Sequence, residues 1–237
     1  MRAHRGGRLA TGYTVVRRDG SRERVPPYEV RGIAPAAGFT STVEDLLIWS
    51  RHFDKPTLGK TIPAQLTAIA SLTGGKANNY RRGVAVEELR GLQTVGHGGL
   101  WPGYKTEFLR VPKAGLSVVV IANLGSIDPW RRARTIAALA LESDRRMKPA
   151  LPPITAAEIK PLAGTWFNAE EPSLFDLAWR NGEAVVSQNG MPFVLGRRAG
   201  GWLGAERGSY EFALKPGPKG TLKVDLGAGR IVKYSTI

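Results

Sequence analysis

Two different spacings of apolar residues divide the chain into a first part with helices and strands and a second part made of strands. Over residues 43–53 the apolar side chains recur at helical spacing, at Val43, Leu46, Leu47 and Trp49. Ser41-Thr-Val-Glu44 has the form of a capping box, in which a serine at the helix start pairs with a glutamate three residues later. The pattern therefore predicts a helix that ends near Phe53.

A sheet and a covering helix are predicted next. Apolar runs separated by turns with glycine or proline indicate antiparallel strands at residues 84–86, 94–97, 104–111 and 116–122. Asp128 and Pro129 supply a cap and a first-turn proline for a long helix. Its apolar residues are expected to cover one face of the sheet: Trp130, Ile136, Leu139 and Leu141. A short strand at residues 12–16 and a short helix over residues 63–72 are expected earlier in the chain.

A stiff, proline-rich connector at residues 148–153 separates this part from the second. Eight short β-type runs follow it, at residues 164–167, 175–179, 184–187, 193–195, 201–203, 210–214, 222–226 and 231–234. Their regular spacing predicts an antiparallel barrel or sandwich of roughly seven or eight strands. The expected fold class is α+β, with a first domain at residues 1–148, a linker at 149–154 and an all-β domain at 155–237.

Length and composition are those of a globular protein. The 237 residues are 42% hydrophobic, and no apolar run approaches the roughly 18 residues that a transmembrane helix needs. The lack of cysteine excludes disulfides and thiolate sites, and the three histidines are far apart in sequence: His4, His52 and His97. We therefore predict no metal and no cofactor. Residues 1–8 lack the apolar centre of a secretory signal, which leaves the compartment open.

The net charge of +14 makes nucleic-acid binding a hypothesis to weigh. Arginine pairs fall in five different predicted elements, without interleaved aromatic residues or a groove-binding motif: Arg17-Arg18, Arg81-Arg82, Arg131-Arg132, Arg145-Arg146 and Arg197-Arg198. This dispersed pattern is typical of solvated surface positions, so nucleic-acid binding ranks last among the functional hypotheses. Attraction of an anionic substrate stays open.

The most informative local pattern is His97-Gly98-Gly99, between two β-forming runs. Two glycines beside a basic residue leave a strand edge without side chains, so an extended substrate can approach the backbone closely. The segment resembles the His-x-Gly form of the third motif of the penicillin-recognising serine hydrolases, which include serine β-lactamases, D-alanyl-D-alanine carboxypeptidases, D-aminopeptidases and related esterases. Flanking segments resemble the family in the same order, over about the first 147 residues: residues 9–13, 36–46, 102–104 and 118–124.

The resemblance implies a partial β-lactamase/transpeptidase-like sheet with helices, an appended barrel, and acyl transfer to a serine followed by hydrolysis. By this resemblance His97 is the catalytic candidate, acting on the substrate and the proton network. The substrate-binding candidates are Gly98, Gly99, Leu100, Trp101 and Tyr104. The backbone N–H of Leu100 would form half of an oxyanion hole. Trp101 and Tyr104 wall the cleft in one interpretation and pack over the Pro-Gly turn in the other.

The family's nucleophile motif is missing from these 237 residues: no Ser-x-x-Lys is present, and no Tyr-x-Asn precedes His97. The near matches are interpreted as loop or chance sequence: Thr57-Leu-Gly-Lys60, Thr73-Gly-Gly-Lys76 and Ser187-Gln-Asn189. We expect this chain to be the C-terminal part of a longer enzyme and to be inactive alone. The longer enzyme is expected to act on D-amino-acid peptides, β-lactams or small esters. The alternative is a non-catalytic module that binds D-Ala-type peptides or cell-wall fragments.

The expected partners are a small-molecule or peptide substrate and either the missing N-terminal part or a second copy of the chain. A partial sheet would leave apolar surface and an open strand edge exposed, which favours association. Members of the family are often periplasmic or secreted.

Overall fold

The computed structural model describes residues 9–14, 20–26, 38–69, 79–170, 173–188, 191–205, 212–225 and 231–236. They belong to two compact units, which meet in the sequence between Met147 and Lys148. Within these ranges no helix combines the length and the apolar character needed to cross a bilayer.

The first unit is built on a four-stranded antiparallel sheet. Helices α1 (Val43–His52) and α2 (Ile62–Thr67) precede it, and α3 (Pro129–Ala140) follows it. The strands are β1 (Ala85–Leu89), β2 (Leu92–Trp101), β3 (Tyr104–Val111) and β4 (Leu116–Ala122), with the 3-10 turn Pro112–Ala114 before β4. They lie in the order β1-β2-β3-β4, so each strand pairs with its neighbour in sequence. The predicted strands are therefore present, and β2 is longer than expected because it includes both glycines of the candidate motif.

Helix α3 covers one face of this sheet. Its N-cap is Asp128, whose side chain accepts the N–H of Arg131, as the sequence predicted. The expectation for its buried side was correct only in part: Trp130 and Leu141 are half-buried and Leu141 packs against the core, but Ile136 and Leu139 are 48% and 67% exposed. Ala133 and Ala137 are fully buried instead. Small side chains let a helix lie close to a sheet, and here the alanines pack with strand residues in one core: Leu92, Leu109, Val111 and Val118.

Helix α1 packs on the opposite face, where Ser50 and Ser117 hydroxyls lie 2.6 Å apart. Arg110 of β3 reaches the same side and donates to the Asp54 carboxylate at 2.5 Å. The helix was predicted correctly, but its N-cap is Thr42 rather than Ser41, since Thr42 Oγ1 accepts the N–H of Asp45.

Two other local expectations were met in part. Helix α2 has Pro63 in its first turn but ends at Thr67, because Ala68 has an extended ψ of 140°. The last predicted residues, 70–72, lie outside the described residues. In place of the strand expected at residues 12–16, Tyr13 forms isolated bridges with Arg24 and Leu124. Residues 15 and 16, the end of the expected strand, also lie outside the described ones.

The second unit is a closed antiparallel barrel preceded by α4 (Ala156–Ile159) and the 3-10 turn Lys160–Leu162. Its strands are β5 (Gly164–Asn168), β6 (Ser173–Arg180), β7 (Glu183–Gln188), β8 (Met191–Arg197), β9 (Leu203–Ala205), β10 (Ala213–Pro216), β11 (Thr221–Asp225) and β12 (Ile231–Thr236). Their order is β10-β11-β12-β5-β6-β7-β8-β9, closed by the β9–β10 pair. The 3-10 turns Ala199–Gly201 and Pro218–Gly220 precede β9 and β11.

The core of the barrel is formed by inward-pointing side chains of its strands, which include Phe175, Leu214, Leu222 and Tyr234. Each of the eight predicted runs overlaps one strand. The predicted α+β class, with an antiparallel sheet and helices followed by an all-β barrel, is confirmed.

Candidate functional site

Strand β2 has one edge that is paired along only part of its length. On one side, β1 pairs with β2 from Leu92 to Gly96. On the other side, β3 pairs with β2 as far as Trp101. In the part of the chain that the structure describes, no strand pairs with the β1-side edge of β2 beyond Gly96. We call this stretch, residues 97–101, the open edge.

The backbone groups that face out of the open edge follow from the hairpin that precedes it. Arg90 and Gly91 form the two-residue turn between β1 and β2, with φ values of 49° and 90°. The residues that flank such a turn exchange backbone hydrogen bonds, and along a strand these groups point alternately to its two sides. Starting from Leu92, the backbone N–H and C=O of every second residue point toward the β1 side. The N–H and C=O of Gly98 and Leu100 therefore face outward at the open edge.

His97 lies on the open edge, on the sheet face that α1 partly covers. It is exposed, and its direct partner on β3 is Phe108. The hydroxyl of Tyr80 lies 3.0 Å from His97 Nε2, with the two rings edge to face. Tyr80 is itself held at the start of β1 by its bridge to Ala85. The imidazole is thus oriented by a neighbour while it remains accessible to a ligand.

The two glycines after His97 lie against side chains of β3. A Cβ at Gly98 would lie 3.0 Å from Glu107 Oε2, and a Cβ at Gly99 would collide with Thr106 Oγ1. Both glycines are exposed on their outer side. Cross-strand packing therefore gives a second reason for glycine here, besides the close approach of a ligand.

Beneath the open edge lies a buried group of charged side chains between the sheet and α3. Glu107 is only 4% exposed, and Arg134 of α3 forms an ion pair with Glu87 of β1 while lying 4.2 Å over the Trp130 ring. Burial raises the pKa of Glu107 to about 8, Arg134 opposes this rise, and Glu87 and Asp128 add to it. Glu107 is therefore mainly a neutral acid at pH 7. Because Glu107 of β3 is the direct partner of Gly98, this uncharged carboxyl lies directly behind the glycine.

The remaining sequence candidates differ in their surroundings. Leu100 is 69% exposed, so its side chain is free of the core. Trp101 is half-buried at the end of β2. Tyr104 packs against Gly12 and donates its hydroxyl to the Ala10 carbonyl at 2.5 Å. These contacts favour the packing interpretation for Tyr104.

Tyr80 is the neighbour of His97 that sequence reasoning missed. Seventeen residues separate the two, and no local motif joins them. Two of the serine and threonine near matches gain no support: Thr57 is tied through its N–H to His52 Nδ1, and Ser187 lies on β7 of the barrel. The third, Thr73-Gly-Gly-Lys76, lies outside the described residues. Among the described residues, no three His, Asp or Glu side chains come close enough to hold a metal ion.

Comparisons with known proteins give one family and several solved structures. The family model described as Beta-lactamase matches residues 3–142. The chain is 16% identical to the octameric penicillin-binding protein homologue from Pyrococcus abyssi, with a TM-score of 0.49, covering 98% of this chain and 54% of that one. It is 16% identical to SurE, with a TM-score of 0.46, covering 100% of this chain and 58% of SurE. For SurE with D-Leu the identity is 15%, the TM-score 0.43, and the coverage 100% and 57%. The chain thus spans little more than half the length of these proteins, and no curated protein matches it.

Proposed function

This chain belongs to the beta-lactamase family, and we propose that its open edge binds the substrate of a serine hydrolase that cleaves D-amino-acid peptides, β-lactams or small esters. The observation that supports this most directly is the outward direction of the backbone groups of Gly98 and Leu100, next to the exposed imidazole of His97. An extended substrate can add to such an edge as a further strand, with backbone hydrogen bonds supplying affinity.

In the proposed complex each group has a distinct role. The N–H of Leu100 donates to the substrate carbonyl oxygen, where negative charge develops during acyl transfer. The C=O of Gly98 accepts an N–H of the substrate. His97, oriented by Tyr80, donates a hydrogen bond to the substrate or exchanges a proton near the reacting carbonyl.

The serine nucleophile of the proposed reaction comes from outside these 237 residues, because they contain no Ser-x-x-Lys. We therefore propose that the 237-residue chain binds substrate but does not turn it over. The same lack of the motif favours a second candidate function, a non-catalytic module that holds D-Ala-type peptides.

Binding and turnover are measured separately. We expect saturable binding of a D-Ala-D-Ala peptide by calorimetry, and no burst of product with a chromogenic cephalosporin or an activated ester. His97→Ala is expected to weaken peptide binding by roughly tenfold, the effect of one lost hydrogen bond to a charged group. Gln93→Ala is the matched control, since Gln93 is exposed on the same strand and face but lies where β1 is paired. Product formation that His97→Ala abolishes would contradict the inactivity, and equal binding by both variants would contradict the site.

The DNA sequence upstream of the first codon distinguishes the two candidate functions. An in-frame Ser-x-x-Lys, followed by a cephalosporin or ester burst from the longer protein, supports the hydrolase. A stop codon in every upstream frame before such a motif, together with peptide binding by the 237-residue chain, supports the binding module.

A further inference from the structure

Three lysines form a row across the outer surface of the barrel. Lys215 of β10 lies directly opposite Lys223 of β11, and Lys223 lies directly opposite Lys233 of β12. Opposed residues on antiparallel strands project from the same face, with their Cα atoms about 5 Å apart. The lysine row therefore places three ammonium groups along a line of about 10 Å, measured between the outer Cα atoms.

The strands orient this row toward solvent. The intervening residues Leu222, Val224 and Tyr234 are buried in the barrel core, so their neighbours along the strands point outward. Lys223 and Lys233 are exposed. Lys215 is half-buried, and its Nζ lies 4.6 Å from the centre of the Trp202 ring.

Like charges directly opposite each other destabilise a sheet, unless carboxylates or a ligand neutralise them. Asp225 is the nearest acidic residue along β11, two positions from Lys223. Within the residues that the structure describes, none of the three ammonium groups forms an ion pair.

We propose that the lysine row binds a linear polymer of phosphate groups. Lysine binds phosphate oxygens as a compact point charge, and a phosphate polymer repeats a negative charge along its length, as the row repeats a positive charge across three strands. A row of charges on a convex barrel surface matches repeated charges along a chain better than it matches one small anion in a pocket. Lys215 covers the Trp202 ring, so the row offers charge without a free aromatic surface on which a base would stack.

The test uses inorganic polyphosphate and two variants that remove the same charge. The triple variant Lys215→Gln, Lys223→Gln, Lys233→Gln removes the row. The control Lys55→Gln, Lys60→Gln, Lys113→Gln removes three exposed lysines of the first unit. We expect the row variant to lose about tenfold in affinity at moderate salt, and the slope of log affinity against log salt to fall by about 2, close to 0.7 for each of three contacts. The control variant is expected to change affinity by less than about twofold.

The row variant is expected to melt within a few degrees of the wild-type temperature, because it removes both the repulsion between the lysines and the contact of Lys215 with the Trp202 ring. Equal losses in both triple variants would overturn the proposal, since the whole chain's charge would then account for binding. Wild-type binding to polyglutamate as tight as to polyphosphate of the same charge would overturn the preference for phosphate. Tighter binding to an oligodeoxythymidylate of matched charge would overturn it in favour of nucleic acid.

Discussion

The carboxyl of Glu107 lies directly behind Gly98, where a Cβ on the glycine would lie 3.0 Å from Oε2, closer than an ordinary van der Waals contact. One surface of β2 thus faces solvent at the open edge, and the other rests on a buried acid whose pKa is raised to about 8. The backbone that we propose as the substrate-binding edge is therefore backed by a buried carboxyl.

Replacing Glu107 by glutamine should change how stability depends on pH. The folded-state pKa of Glu107, about 8, lies above the ordinary value of 4.5, so between these values the folded chain keeps a proton that the unfolded chain has lost. The contribution of Glu107 to the free energy of unfolding is complete below about pH 4.5 and is lost as pH rises through 8. The wild type is expected to lose stability relative to Glu107→Gln by up to about 1 kcal/mol per pH unit across this window.

Urea unfolding of both proteins at a series of pH values measures this difference. Glu142→Gln is the control, since Glu142 is exposed and lies outside the buried group. A wild-type profile parallel to that of Glu107→Gln from pH 5 to 8 would show that Glu107 is ionised throughout.

The contact between Gly99 and Thr106 predicts a double-mutant cycle. Gly99→Ala should destabilise the chain by about 1 to 2 kcal/mol, because the new methyl group meets Thr106 Oγ1. Thr106→Ala removes that oxygen and leaves the Thr106 Cβ at 3.6 Å, an ordinary contact. Gly99→Ala should therefore cost much less in the Thr106→Ala background. If the two substitutions instead lower the free energy of unfolding additively, measured by thermal or urea unfolding, the methyl group contacts an atom other than Thr106 Oγ1.

Two variants of Leu100 distinguish recognition of the substrate by the backbone from recognition by the side chain. Leu100→Ala keeps the N–H, so peptide binding is expected to stay within about twofold of wild type. Leu100→Pro removes the N–H, and binding is expected to fall by about tenfold or more. Proline is compatible with this position because the Leu100 N–H faces away from β3, so no sheet hydrogen bond is lost.

Calorimetry with the D-Ala-D-Ala peptide measures both Leu100 variants, and thermal melting confirms that both are folded. Loss of binding in Leu100→Ala with retention in Leu100→Pro would reverse the assignment. A side-chain pocket would then replace the backbone edge as the recognition element.

Tyr80 should influence His97 through one hydrogen bond. Tyr80→Phe keeps the ring contact and removes the hydroxyl 3.0 Å from Nε2. The ¹⁵N signal of His97 Nε2 is expected to shift in this variant. His52 serves as an internal control, because its Nδ1 accepts the N–H groups of Thr57 and Leu58, which Tyr80 does not contact. An unchanged His97 signal would show that the Tyr80 hydroxyl does not bind the imidazole in solution.

Local sequence patterns were sufficient to predict where the main helices and strands lie. Short runs of β-forming residues at regular spacing identified all eight barrel strands, because the preference of a residue for a strand is carried within each short run. The same logic found α1 and α3. It placed Ile136 and Leu139 on the buried face of α3, where the smaller alanines Ala133 and Ala137 pack on the sheet instead.

The sequence by itself determined the strands, the main helices, and a motif in which a histidine and two glycines share one strand, because these depend on neighbours a few residues apart. Only the tertiary structure decided that β1 leaves β2 at Gly96, that Tyr80 meets His97, that Glu107 is buried behind Gly98, and that three lysines line up on the barrel. Each of these depends on strand register or on contacts between distant residues, which are fixed when side chains pack together and which no short stretch of sequence encodes.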